Sequence, residues 1–461
     1  MMSGMTEMEE NLQRPVKNSE LEQPLLLIGN PNNRRTLGLQ EARQRLGLQP
    51  ALVLPYARLL KIWRQGGTIA NALQQCLEGR GTTYTQGEPW VSSPTLMSYA
   101  NHDSAHGVKS VPLIRIDAPG EEWEVERELL FLGAVKEISP LTDSLSASMI
   151  PAAQTLTLEQ EWGRIYAPNQ WFRGWKACLE RIAREAQEYW PNARFMNDPH
   201  DIAIMFDKRK CQQHLSAHGV HVPPTLQSSE LISNYEDLRT AMKTAGMNRV
   251  FVKLACGSGA SGVVAYQINP QTGAEIAITT VGMERVQGEI IFYNEGRMRR
   301  YTRTSEISAL MDWLCAEGAQ IERWMAKATY GSSVFDIRQL VAGGQAAHAV
   351  VRLSQTPITN LHLRNERLLP VEAGLDEHQM DGVQKEAKAA MAAFPNSWSA
   401  GIDVMLSAGT EQRAYILDVN PFGDLLYRVQ HNGLGTYEWE MELLRKEPHN
   451  HAGYEHHRRL P

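Results

Sequence analysis

Two apolar runs, "AGIDVML" (400–406) and "AYILDVN" (414–420), flank "SAGTEQR", whose Ser, Gly and Thr signal a turn. Runs of this kind joined by a short turn predict an antiparallel hairpin. Side chains alternate along a strand, so Asp418 and Asn420 share one face while Leu417 and Val419 share the other. A hairpin centred on the turn sets Asp403 roughly opposite Asp418. Like charges facing each other across a ladder are destabilising. A divalent cation between the carboxylates, or protonation of one of them, removes the conflict. Oxygen donors of this type suit a hard cation such as Mg²⁺. The competing reading is that Asp418 and Asn420 only initiate the Pro-Phe-Gly turn that follows.

The N-terminal part alternates strands with helices. "PLLLIGN" (24–30) reads as a buried first strand, "LGLQEARQRLGLQ" as an amphipathic helix and "PALVLPY" as a second strand. "VPLIRIDAPG" (111–120) and the helical "EEWEVERELLFLGA" repeat the pattern. This alternation predicts a doubly wound α/β layer. A length of 461 residues suits two or three domains. The net charge of −6 argues against a dedicated nucleic-acid binder, which carries a strongly basic domain. No apolar run approaches the roughly 18 residues that span a membrane. Residues 1–23 are acidic and polar, without the apolar core of a signal peptide, and are expected to be a disordered leader. Cys76, Cys178, Cys211, Cys256 and Cys315 are scattered and form no CxxC pair, as expected of free thiols in a reducing cytoplasm. Trp162, Trp171, Trp175 and Trp190 cluster in a helix-rich stretch and read as packing rather than as a substrate wall. The end of the chain holds His449, His451, His456 and His457, whose spacing fits a solvated tail better than a metal site.

Three further segments carry chemistry. In "RVFVKLACGSGASGVVAYQI" (249–268), two β-rich runs flank a loop with Gly257, Gly259 and Gly262. Small residues let backbone N–H groups approach phosphate oxygens. The loop is neither GxxxxGK[ST] nor a GxGxxG opening a helix, so a phosphate grip would come from between two strands. Lys253, inside the first run, lies either on an exposed edge or where it meets an anion. In "MFDKRKCQQHLSAHGVHVPPT" (205–225), a helix led by Asp207 and Lys208 ends near Gly219, and an extended Pro-rich run follows. In "AQIERWMAKATYGSSVFDIRQLVAGGQAAHAVVRLS" (319–354), apolar strands carry Glu322, Asp336, Arg338 and Arg352. Arginines there need an anion. Arg338 and Arg352 straddle the "AGGQ" turn as a phosphate clamp would; an internal salt bridge with Asp336 is the alternative.

The order of these parts over residues 196–430 resembles the ATP-grasp superfamily. "MNDPHDIAIMFDKRKCQQHLSAHGVHVPPT" is similar to the family's leading Asn, "DK" helix and Pro turn. "VFVKLACGSGASGV" resembles its ATP-lysine strand and flexible glycine loop, and "QIERWMAKATYGSSVFDIRQLVAGGQ" its hinge strand and D-x-R strand. "VVRLSQTPITNLHLRN" looks like the arginine strand with its Thr-Asn sequel, and "GIDVML…YILDVNPFG" like the metal hairpin.

The resemblance implies an ATP-grasp fold of α/β (α+β) class over 196–445, preceded by a Rossmann-like pre-ATP-grasp domain with a helical extension over 24–195 and followed by a flexible tail over 446–461. Lys208 would lie at the adenine side and Lys253 at the phosphates, with Gly257, Ser258, Gly259, Ser261 and Gly262 closing over them. Glu322 and Trp324 would line the adenine pocket. Asp403, Asp418 and Asn420 would hold one or two Mg²⁺, with Mn²⁺ as the alternative ion. Arg338, Arg352 and Asn360 would serve the γ-phosphate and an acyl-phosphate. Two departures stand out: Asp418 replaces the family's usual Glu, and Arg364 and Asn365 stand where a Gly-Gly pair is common. Cys256 reads as a small loop filler rather than a nucleophile. The implied activity is a cytoplasmic, ATP- and Mg-dependent ligase joining a carboxylate to an amine, its substrates small molecules or peptides. A kinase acting on a hydroxyl and a non-catalytic ATP-binding regulator are the alternatives. Neither nucleic acid nor membrane is an expected partner, and a homodimer is left open. Arg115, Asp117 and Arg173 are substrate-site candidates, Arg115 reading rather as a structural ion pair. The sequence does not name the carboxylate or the amine.

Overall fold

Leu25–Gly29 is buried at every position, as a strand covered on both faces must be. It is the first strand of a computed structural model that describes residues 24–78, 112–135, 149–226, 232–257, 261–359, 366–423 and 426–446. The leader expected over 1–23 lies outside these residues, as do Ser258, Gly259, Asn360, Arg364, Asn365 and the four tail histidines. Lys446, taken as the first tail residue, instead closes the last helix.

The N-terminal layer runs β1 (Leu25–Gly29), α1 (Arg34–Arg45), β2 (Leu52–Pro55), α2 (Tyr56–Arg64), α3 (Ile69–Glu78), β3 (Leu113–Ile116), α4 (Trp123–Val135), α5 (Ala152–Thr155), α6 (Pro168–Tyr189) and β4 (Arg194–Phe195). Its four strands are all parallel, in the order β2-β1-β3-β4. The α/β class expected from the alternating pattern is observed. Helices α4 and α6 cross at Gly133 and Gly174, where an added Cβ would stand 1.9 Å from Gln170 O and 1.8 Å from Leu129 O. The backbones therefore touch, and only glycine fits. Trp175 is fully buried beside Tyr56, as a packing role predicts. Trp162 is 87% exposed and does not join the cluster.

A pair of helices, α7 (Pro199–Phe206) and α8 (Lys208–Ala217), leads into the second half. Asp198 and Asp207 cap them by accepting hydrogen bonds from the first free backbone N–H groups. Next come α9 (Tyr235–Thr244) and an antiparallel sheet of β5 (Arg249–Leu254), β6 (Val263–Ile268), β7 (Glu275–Val286), β8 (Glu289–Tyr301) and β9 (Ala319–Arg323), ordered β8-β7-β6-β5-β9. Helix α10 (Thr304–Ala316) and α9 cover one face: Leu238, Met242, Ile307 and Leu310 pack on Val250, Val252 and Tyr266. The other face presents Phe251, Ala265, Ile278 and Met298, and Ile358, from the segment after the strand ending at Ser354, packs onto it.

The next sheet contains β10 (Thr329–Tyr330), β11 (Ser333–Ala342), β12 (Gln345–Ser354), β13 (Arg367–Leu368), β14 (Ser399–Leu406) and β15 (Ala414–Asn420). Its order is β13-β12-β11-β14-β15, with β10 on β11. Helix α11 (Glu377–Ala392), opened by an Asp376–Gln379 capping box, seals one face through Val383, Ala387 and Ala390. The final helix, α12 (Thr436–Lys446), packs Tyr437 and Met441 against Leu25, Leu27 and Leu113 of the first sheet. There Arg115 pairs with Glu440 at 2.8 Å and with Asp117 at 3.3 Å, all three buried. The ion-pair reading of Arg115 describes what is observed.

Glu317, just after α10, is buried and accepts a hydrogen bond from Asn169 N at the start of α6, tying the five-stranded sheet to the N-terminal layer. Burial pushes its carboxyl up to about 7 against this bond. Its folded pKa lies above the ordinary 4.5, so the native state holds the proton more tightly there and stability falls as pH rises between these values. The expected loss is about 3 kcal/mol. Urea unfolding from pH 4.5 to 7.5 should show a steeper decline for the wild type than for Glu317→Gln.

Candidate active site

The hairpin of β14 and β15 sets Asp403 directly opposite Asp418 and Gly401 opposite Asn420. A bulge between Asp403 and Val404 leaves Leu417 as the extra residue, just before Asp418. Bulges of this kind re-aim side chains beside functional sites. Asn420 Nδ2 donates to Gly401 O at 3.0 Å, which leaves its carbonyl oxygen for another partner. Asn197 ties the open end of the hairpin. Its Nδ2 donates to Ser399 O and Pro421 O, and its Oδ1 accepts from Trp398 N and Ser399 N. From the N-terminal layer, Arg35 donates to Phe422 O and Gly423 O, and Arg115 to Phe422 O. The turn after this hairpin is thus held by side chains distant in sequence.

Cations answer the two facing carboxylates. Arg338 Nε and Arg352 Nη2 each lie 3.0 Å from Asp403 Oδ1. Neither aligns as a hydrogen bond to that oxygen, which is buried without a donor among the described residues. Burial and the neighbouring Asp336 and Asp418 charges push the Asp403 carboxyl up despite these arginines. The Asp403 carboxylate, ion-paired to two arginines, with Asp418 and the free carbonyl of Asn420, is a fitting donor set for a hard divalent cation. Arg352 also donates to Asp336 Oδ1 at 2.6 Å, so the internal salt bridge considered for this strand pair is present. Thr359 Oγ1 donates to the other Asp336 oxygen. Lys208 Nζ lies 2.6 Å from Asp418 Oδ2. Its ammonium thus reaches the acidic hairpin, whereas the resemblance implied the adenine side. Helix α8 begins beside β15, and Lys208 N donates to Ala255 O at 2.8 Å, so this one residue links the base of the glycine loop to the acidic hairpin.

On the five-stranded sheet, β5 lies between β6 and β9, so Lys253 is not on an edge. Its Nζ meets Glu322 at 2.5 Å; both are largely buried. Gln320 also donates to Glu322. Trp324 packs against Phe251, with ring centroids 5.5 Å apart, and joins the apolar face of that sheet. In the glycine loop, Gly262 has φ +69° and a Cβ there would stand 2.4 Å from Leu254, while a Cβ on Gly257 would stand 2.9 Å from Ser261 O. Both positions require glycine for shape. Cys256 has its thiol pushed well up by burial, which suits a filler and not a nucleophile.

Lys208, Lys253, Glu322, Arg338, Arg352, Asp403, Asp418 and Asn420 thus belong to one region between the two sheets. The sequence reading missed Lys327 as a member of its framework, and quoted Asn197 and Thr359 only inside the family's motifs, without a role. Lys327 Nζ donates to Thr359 Oγ1 at 2.7 Å and sits among the charges of Asp336, Arg352, Lys253 and Glu322. Its one signal was a lysine in the short link between two strands. Arg173, named as a candidate, instead donates to Met149 Sδ, on the N-terminal side of the molecule's helical stretch.

No protein-family model and no curated protein matches the chain. Solved structures do. The ATP-grasp ligase PsnB complexed with minimal precursor is 12% identical, with 92% of this chain and 99% of that one covered, at a TM-score of 0.46. D-cycloserine synthetase DcsG is 13% identical over 91% and 99%, at 0.44. The macrocyclase MdnC bound with precursor peptide MdnA, from Microcystis aeruginosa MRC, is 12% identical over 92% and 100%, also at 0.44.

Removing one member of a buried ion pair strands the other. Arg352→Met should therefore lower stability by about 3–5 kcal/mol. Arg338→Met, at a more exposed position, should cost under about 2 kcal/mol. Urea midpoints of the two variants give the ranking.

Proposed function

We propose that the chain is an ATP- and Mg²⁺-dependent ligase of the ATP-grasp type that joins a carboxylate to an amine. The observation that carries this reading is Lys208, which joins the base of the glycine loop at Ala255 to the acidic hairpin at Asp418. The base of the glycine loop and the hairpin are thereby neighbours. The apolar face of Phe251, Ala265, Ile278 and Trp324 suits an adenine ring, with Glu322 and backbone groups as polar contacts. Lys253, freed from Glu322, and the backbone N–H groups of the loop suit the phosphates.

Asp403, Asp418 and Asn420 would hold the metal, which when bound neutralises phosphate charge. Arg338 and Arg352, shared with Asp403, stand where they can stabilise negative charge building on the transferred phosphoryl group. A substrate carboxylate attacks the γ-phosphate of ATP; ADP leaves and an acyl-phosphate forms. An amine then attacks the acyl carbon, expelling inorganic phosphate to give an amide. Positioning and electrostatics suffice for such phosphoryl transfer, without a protein nucleophile.

The test incubates purified chain with ATP, Mg²⁺ and pools of amino acids, sugars and polyols. Phosphate release that requires both an acid and an amine supports the ligase. A stable phospho-product identifies a kinase instead, and absence of hydrolysis with every pool points to a non-catalytic binder. Asp418→Ala should abolish turnover while keeping the circular dichroism spectrum and melting profile; full activity would remove the metal assignment. Lys253→Ala should weaken ATP binding at least tenfold in titration calorimetry, and an unaltered affinity would exclude its phosphate role.

A further inference from the structure

We propose that Lys327 reads the terminal phosphate of the bound nucleotide and so sets the preference for a triphosphate over a diphosphate. This rests on the ATP-dependent reading of the cleft above.

Five cations converge here, Lys208, Lys253, Lys327, Arg338 and Arg352, against four carboxylates, Glu322, Asp336, Asp403 and Asp418. Four of the cations have a carboxylate oxygen close by: 2.6 Å for Lys208, 2.5 Å for Lys253, 3.0 Å for Arg338 and 2.6 Å for Arg352. Lys327 is the odd one. Its nearest carboxylate, Asp336, is 3.6 Å away, beyond hydrogen-bond distance. Both Asp336 oxygens are already engaged, one by Arg352 and the other by the Thr359 hydroxyl. Lys327 therefore makes one hydrogen bond, to Thr359 Oγ1, among the described residues. An ammonium has three protons to donate. Its side chain is only 9% exposed, so water cannot fully serve the other two. A buried cation short of an acceptor is costly unless an anion arrives. Burial, together with the charges of Arg352 and Lys253, lowers its affinity for its own proton, as expected of a cation awaiting a counter-charge.

Its backbone is fixed for the task. Ala328 N donates to Leu406 O at 2.8 Å and Ala408 N to Ala326 O at 2.9 Å, so the link from β9 to β10 is pinned to the end of β14. From there its ammonium reaches Thr359 Oγ1 at 2.7 Å and Asp336 at 3.6 Å, and it feels the charges of Arg352, Lys253 and Glu322. A phosphate chain running from the glycine loop toward Asp403 must pass these charges. Arg352, which shares Asp336 with Lys327, also touches Asp403, so the phosphate met at Lys327 is the metal-side, terminal one. If Lys327 served Asp336 alone, it would matter equally to both nucleotides.

Titration calorimetry with full-length protein, MgADP and a non-hydrolysable MgATP analogue reads the difference. Wild type should prefer the triphosphate analogue. Lys327→Met should lose about tenfold or more in affinity for the analogue, with ADP affinity within about twofold, and Lys327→Arg should restore part of the loss. Equal losses for both nucleotides, or none, would overturn the inference while leaving the ATP reading in place. A wild type that binds neither nucleotide would remove both. Lys327→Gln, closer in polarity, repeats the measurement if the methionine variant does not fold.

Discussion

Two carboxylates face each other across neighbouring strands, and most of the cleft is arranged around that conflict. Asp403 and Asp418 are set in register by a hairpin whose apolar positions fix which side is buried. The carboxylates then need positive charge close by, because an unpaired anion taken out of water is expensive. Arg338 comes from the adjacent strand, Arg352 from the strand beyond it and Lys208 from the head of a helix. The two arginines have little choice of position, since the strand order β12-β11-β14-β15 fixes the spacing. The cations pre-placed for folding are the same ones a polyphosphate would meet. Stability and chemistry draw on one set of charges here.

How much of this could be read from the residues depends on the range of the interactions. The hairpin register follows from a period of two and a short turn, and both are local. The bulge at Leu417 follows from neither, since it answers to pairing with β14 rather than to any turn residue. Lys253 and Glu322 could be named because each stands out inside an apolar strand. Lys327 could not, because "RWMAKATYG" has no period to make one position unusual. Arg115 and Glu440 are 325 residues apart, and Asn197 reaches Ser399 and Pro421 across more than 200. Contacts of that span leave no trace in a local pattern. The placement of Lys208 on Asp418 is of the same type, set by where a helix docks.

The two sheets divide the labour. The five-stranded sheet offers an apolar face with the Lys253–Glu322 ion pair embedded in the sheet, which suits a flat aromatic ring. The other sheet offers a face crowded with charge. Between them run the Trp324–Ala328 link and the residues around Ile358 and Thr359, each touching both sides. A fold alone does not fix chemistry, so similar scaffolds can serve different substrates.

The last helix completes the first sheet. Leu25 and Leu27 are among the earliest described residues to leave a ribosome, and Tyr437 and Met441, which cover them, are among the latest. At about 5–20 residues per second, roughly 20–80 s separate the two events. During that interval the N-terminal layer carries an uncovered apolar flank and Arg115 lacks Glu440. Its native form is therefore reached only after the last helix has emerged, and chaperones have that whole interval in which to hold the nascent chain.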